Sequence, residues 1–342
     1  MVYCILVGIV VRVKRIFSFD LELVGRSLWL MYHPERGVLP CDGWQALDVP
    51  ILSKSEIAEL RARYAADCEA VERRMRVKTC SCSSSAVDML QQKRRIAIHL
   101  HVYFVDVLSR IVSALKDLSF YFDLYVSVSE NVSWTEEIES ILRRNLPFVD
   151  VMKIVRSPNR GRDLAPMICS FGRELAQYDF VAHFHTKQSR HLLQEEDWLE
   201  FLLRHLLSPT GCGYILSRLE NGVGMVIPPD FLAIPNDPTG WMHNLENAER
   251  VVKIAGLKLN LKQDYTPCIF PQGSMFWARG DFMKRFLELP LSFEDFECEP
   301  IGLDGALAHA LERLLCVLGS TTGMPIVRLA DKEKHDSSRN RN

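Results

Sequence analysis

The sequence predicts an α/β protein built on a doubly wound, mostly parallel sheet, with an α-rich extension ahead of it. Three observations predict this. From Arg95 onward, strand-like apolar runs alternate with helical patterns, the signature of β-α-β units. Several of those runs end in polar residues, where a doubly wound sheet binds its ligands. A composition of 48% hydrophobic and 25% charged residues over 342 positions is that of a chain with a full globular core.

Ahead of this pattern, residues 1–94 read as an N-terminal extension of undetermined role. Met1 to Val13 is an apolar run that Arg12, Lys14 and Arg15 interrupt. It is shorter than the roughly 20 residues a membrane span takes, and its charge follows the apolar stretch, unlike a secretory signal. A buried strand is the expectation. A charged helix follows from Lys54 to about Met75, with Ser53 or Ser55 available as cap. The Ser-rich stretch around Cys80 and Cys82 reads as a joint.

Residues 95–330 form the main expected domain. Its elements are a strand over Ile96–Phe104, a helix over Val105–Leu115, a strand over Phe122–Val128 and a helix over Thr135–Arg144. A strand over Val149–Val155, a helix over Leu164–Gln177 and a strand over Phe180–His185 follow. The polar tail, 331–342, is expected to be disordered. A formal charge of −2 argues against a chain-wide nucleic-acid role. Ten cysteines without CxxC spacing fit reduced thiols in a cytoplasmic protein, and a peripheral membrane contact is compatible with the basic residues Arg73 to Arg95.

Four segments carry candidate chemistry. Asn159, Arg160, Gly161, Arg162 and Asp163 join a strand to a helix, where backbone amides and arginines suit a diphosphate or ribose. The alternative is that Asp163 merely caps the helix. His183, His185 and Lys187 share one face of their strand, and His99 and His101 share one face of theirs. In common doubly wound orders these two strands are neighbours. The four histidines would then form a metal site or a metal-free pocket in which His and Lys187 hold a diphosphate. Trp277 and Arg279 in GSMFWAR suit a saccharide face, and the alternative places that aromatic run in the core. Glu297, Glu299 and Asp304 are candidate general bases. Asp304 is also a candidate cap for a helix with an apolar Leu307–Leu318 stripe and with His309, Glu312 and Arg313 on another face.

Together, IHLHVYFVDVL, FDLYVSVS, NRGRDLAPM, YDFVAHFHTKQS, GSMFWAR and LDGALAHALER resemble, in order, the rhamnan synthesis protein F family over about Arg95 to Leu315. Asn159 to Lys187 also resembles the middle of an inverting GT-A glycosyltransferase, with a Rossmann-like nucleotide-sugar half. Here His183-Phe-His-Thr-Lys187 stands where that group carries its metal-binding DxD. The resemblance implies a transferase of O-antigen or lipopolysaccharide assembly at the inner face of the cytoplasmic membrane. It implies a nucleotide-sugar donor, dTDP-rhamnose, and a lipid-linked glycan acceptor. The donor side would comprise His99, His101, Asn159 to Asp163, His183, His185 and Lys187. The acceptor side would comprise Trp277, Arg279 and His309, with the base among Glu297, Glu299 and Asp304. The absent DxD leaves the divalent metal open. A non-catalytic glycan-binding or assembly module on the same fold is the alternative, and a histidine-metal hydrolase a third reading.

Overall fold

The computed structural model describes residues 54–80, 94–132, 136–186, 197–231, 240–302 and 304–330. The Met1–Val13 run, the Ser53 cap, the joint after Cys80, Lys187 and the tail fall outside them.

Among the described residues eight strands form one sheet in the order β1-β8-β6-β7-β5-β2-β3-β4. They span Val77–Cys80 (β1), Ile96–Val102 (β2), Phe122–Ser129 (β3), Val149–Ser157 (β4), Phe180–His185 (β5), Met225–Ile227 (β6), Phe276–Arg279 (β7) and Ile326–Leu329 (β8). Only β7 runs antiparallel to its neighbours β5 and β6. This is the α/β, mostly parallel architecture the alternating pattern predicts. The helices are Lys54–Arg74 (α1), Leu108–Lys116 (α2), Glu136–Asn145 (α3), Leu164–Leu175 (α4), Trp198–Leu206 (α5), Pro209–Glu220 (α6), Leu245–Ile254 (α7), Leu261–Asp264 (α8), Gly280–Leu287 (α9) and Leu307–Ser320 (α10).

Part of the expected N-terminal extension belongs to this sheet. β1 follows α1 directly and pairs in parallel with β8, Val77 opposite Ile326. The boundary drawn at residue 94 therefore divides the sequence but not the sheet.

Alternation along each strand sends side chains to two separate cores. Ile98, Leu100, Val126, Phe184 and Trp277 face one layer, which α2, α3, α5 and α6 cover. Ala97, Tyr125, Val181 and Phe276 face the other, which α4, α7, α9 and α10 cover. Gly172 lets α4 meet α9, because a Cβ there would lie 2.0 Å from the Leu287 carbonyl oxygen. The described cysteines are all free thiols. Among the described residues no helix is long and apolar enough to cross a membrane.

Candidate functional site

β2 and β5 are neighbours, and their register sets His99 opposite His183 and His101 opposite His185. The two histidine pairs thus meet on one face of the sheet, as strand periodicity and the common strand order predict. All four imidazoles are buried. A buried polar ring has to find partners inside the protein, and these do. The His99 and His183 rings stack at 4.9 Å with their Nδ1 atoms 2.8 Å apart. His99 Nε2 lies 3.0 Å from Ser127 Oγ on β3, and the same hydroxyl lies 2.9 Å from His101 Nδ1. His183 Nε2 lies 3.1 Å from a carboxylate oxygen of Asp163. His185 Nε2 donates to the Gly273 carbonyl at 2.8 Å, while the Gly273 amide donates to Glu312.

Asp163 stands at the start of α4, yet its side chain makes no capping bond and turns into the sheet towards His183. The capping alternative is therefore corrected: a buried imidazole N–H takes the place of the helix amides. Asp163 is held well below the usual carboxylate range. Burial alone would raise it, and the imidazoles of His185 and His183 outweigh that. Burial first, then the neighbouring imidazoles, drives His99 well below 6.5, and burial takes His101 down to about 3. Both rings are neutral at physiological pH.

The loop before α4 meets the segment before α10. Gly161 has φ +64, and a Cβ on it would fall 2.4 Å from both Phe296 and Ala165, so only glycine fits this approach. Arg160 forms a backbone bridge to Cys298 and donates to the Phe296 carbonyl at 3.3 Å. Arg162 donates to the Gly302 carbonyl at 3.4 Å, and the Asn159 amide to Glu130. The predicted donor-side loop and the predicted acidic segment are in contact.

Within the acidic segment the three carboxylates differ. Both oxygens of Glu297 accept from the Leu307 amide at 3.1 Å, which puts Glu297 on the first turn of α10. Asp304 does not cap that helix, a second correction. It accepts from the His243 amide and the Asn244 side chain and lies 3.4 Å from Arg313, which pins the 241–244 turn. Glu299 accepts from the Ile301 amide through Oε2 alone, leaving Oε1 without a partner among the described residues.

His309 lies in the first turn of α10 and is 5% exposed. Its Nδ1 accepts from the Ala306 amide, so the ring proton belongs on Nε2, which is buried with no partner among the described residues. Burial and the nearby Arg162 guanidinium push it down to about 4. His309 is thus a neutral, unpaired N–H donor beside an arginine.

Two predicted acceptor contacts do not join this site. Trp277 has no exposed surface, packs in the opposite core and donates from Nε1 to the Leu206 carbonyl at 2.9 Å, so it has no ring face for a sugar. Arg279 pairs across from Phe180, at the end of the sheet away from His185, and is tied to Asp281 at 2.7 Å. Among the described residues no three His, Cys, Asp or Glu side chains are disposed to hold a metal ion. The facing nitrogens of His99 and His183 are occupied by each other.

Ser127 was the member of the cluster that the motifs did not single out. Its signal was the alternation of FDLYVSVS, which sets Ser127 opposite in facing to Val126 and Val128.

The fold and site together define an α/β protein with a polar, histidine-rich centre at the carboxyl ends of parallel strands. Residues 67–324 match the family described as rhamnan synthesis protein F, and the chain belongs to it. The chain is similar to the uncharacterized protein WxcX of two strains of Xanthomonas campestris pv. campestris, B100 and ATCC 33913. In each the identity is 27% over 250 residues, covering 72% of this chain and 33% of the relative. It therefore spans about a third of the length of those relatives. Among solved structures it aligns with Staphylococcus aureus TarS 1–349 at 11% identity and TM-score 0.34, over 70% of this chain and 58% of that one. It also aligns with the mannosyltransferase Ktr4p of Saccharomyces cerevisiae at 13% identity and TM-score 0.34, over 86% and 82%.

Proposed function

We propose that this chain is a glycosyltransferase of rhamnan-type polysaccharide synthesis, moving a sugar from a nucleotide-sugar donor to a glycan acceptor. Membership of the rhamnan synthesis family supports the polysaccharide role. The observation that carries the chemistry is the meeting of two segments beyond the parallel strands. One brings Arg162; the other brings the His309 N–H and the partly free carboxylate of Glu299. A diphosphate needs positive charge and N–H donors, and Arg162 with His309 offers both. An acceptor hydroxyl needs a base as it attacks the anomeric carbon, and Glu299 Oε1 is the carboxylate oxygen left open for it. In this reading the proton moves to Glu299, the new bond forms at the anomeric carbon, and the nucleoside diphosphate leaves with the old bond's electron pair. Displacement of this kind inverts the anomeric centre. The donor assigned is dTDP-rhamnose and the acceptor a lipid-linked glycan, reached by peripheral contact with the cytoplasmic membrane face.

The test is a panel of nucleotide sugars, scored for release of nucleoside diphosphate with a lipid-linked acceptor. dTDP-rhamnose is expected to turn over, and Glu299→Gln to lower kcat by on the order of 10²–10⁴. Binding without turnover under every acceptor would point to a glycan-binding module, and failure of every donor to bind would remove the transferase reading.

A further inference from the structure

Five buried side chains lie in one unbroken row: Asp163, His183, His99, Ser127 and His101. Each of the four links holds a single hydrogen, so settling one end settles the whole row. A carboxylate can only accept, which requires the proton of His183 on Nε2. The Nδ1 of a neutral His183 is then an acceptor, so His99 must donate from its own Nδ1. His99 Nε2 then accepts from Ser127, and the Ser127 oxygen in turn accepts from His101 Nδ1. The row ends with a bare nitrogen, His101 Nε2. The link through Nδ1 is the one hydrogen bond the His101 ring makes among the described residues.

We propose that Asp163, acting through His183, His99 and Ser127, holds His101 as a hydrogen-bond acceptor at Nε2, and that this nitrogen receives a hydroxyl of the donor sugar. The inference rests on the transferase reading and narrows it. A bare imidazole nitrogen repels phosphate oxygens, which are themselves acceptors, so His101 suits the sugar and not the diphosphate. His309 has the opposite polarity, with its proton on Nε2. The two rings are thereby of opposite polarity, with a donor ring beside Arg162 for the diphosphate and an acceptor ring at the end of β2 for the sugar. His101 stands one residue from the end of β2, faced by Asp163, His185 and His183, and 5% exposed. It is the ring in the row next to the strand ends, where sheets of this class bind their ligands. Asp163, His183, His99 and Ser127 are positioning residues. Asp163 lies four hydrogen bonds away from the atom it controls.

The ring nitrogens of the full chain, labelled with ¹⁵N-histidine, report each tautomer directly. The expected spectrum has His101 and His99 protonated at Nδ1, and His183 and His309 protonated at Nε2. The row running the other way, with a doubly protonated His183, would show His101 protonated at Nε2, and that result overturns the proposal. Ser127→Ala cuts the row and is expected to let the Nε2–H form of His101 appear. Asp163→Asn keeps the shape, but an amide can donate as well as accept, so both directions become allowed and His101 becomes a mixture. A His101 tautomer unchanged in both variants also overturns the proposal. The binding arm compares dTDP-rhamnose with dTDP. Ser127→Ala is expected to lower the affinity for dTDP-rhamnose about two- to tenfold, the value of one hydrogen bond, and to leave that for dTDP as it was. Equal loss for both ligands, or loss for neither, overturns the sugar contact. If wild type binds neither ligand, the His101 contact with this donor is overturned, and the transferase reading is then decided by the wider panel of nucleotide sugars. The ring spectrum, which needs no ligand, still decides whether the row exists.

Discussion

The two faces of the same three strands are made from the same stretch of sequence and do opposite things. On β2, β3 and β5, one set of alternate residues is Ile98, Leu100, Val126 and Phe184, each without exposed surface in an apolar layer. The other set includes His99, His101, Ser127 and His183, also buried but polar, beside Ala97, Tyr125 and Val181. The apolar face gains stability from every residue and loses it only through cavities. The polar face is stable only while each group keeps its partner, because an unmatched buried polar group costs about 1–3 kcal/mol. A protein has little physical reason to place such a row in a core for stability alone. Its location at the carboxyl ends of parallel strands is where such sheets bind ligands.

The comparison is broken most forcefully from the apolar side. Trp277→Ala removes the largest fully buried side chain among the described residues and also leaves the Leu206 carbonyl without its donor. It is expected to cost about 3–5 kcal/mol in urea unfolding. A small loss there would mean that the ring is not core, and would restore it as a candidate sugar platform.

On the polar face, Ser127→Ala deletes one oxygen but strands His99 Nε2 and His101 Nδ1. The expected loss is about 1–3 kcal/mol, although almost no volume is removed. An apolar position that loses so little volume would be expected to lose less.

The faces also differ in their response to acid. The apolar face has no titrating group, whereas His101 falls from 6.5 unfolded to about 3 folded, with His99 displaced in the same direction. For a group lowered on folding, the unfolded chain binds more protons between the two values, so stability rises with pH across that window. The contribution is full above about 6.5 and is lost as the pH falls towards 3. One such proton sets a slope of up to about 1.4 kcal/mol per pH unit. His101→Gln is expected to flatten the pH dependence of unfolding between pH 6 and 5. An unchanged slope would mean that His101 is not held neutral by burial.

Strand periodicity made much of this legible in the sequence, because a period of two places His99 with His101 and His183 with His185 whatever the rest of the fold does. Their meeting also needed β2 beside β5, which the common strand order anticipates. Ser127 stayed hidden because a serine in an otherwise apolar strand has no meaning until its neighbour is known. Capping was the alternative for Asp163 because a carboxylate at a helix start normally has amides within reach, and nothing local says that a buried imidazole competes. Trp277 was misplaced for the reverse reason. A flat ring beside hydrogen-bonding groups suits a saccharide face, but alternation within β7 turns Trp277 away from the histidines and Phe276 towards them, as the core alternative has it.

The smallest expected effect comes from the end of the sheet opposite the histidines. Arg279 is held by Asp281, with both side chains partly exposed, and donates to the Leu219 carbonyl at 3.3 Å. An exposed pair of this kind contributes about 0–1 kcal/mol, so Arg279→Ala is expected to shift unfolding by no more than about that. Because β7 runs antiparallel to β5, Arg279 lies beside the start of β5, while His183 and His185 lie towards its end. Nucleoside diphosphate release should therefore be unaffected by the substitution. A fall in turnover with stability intact would show that the acceptor reaches around the sheet to Arg279, and the polar face would then be only one part of the binding surface.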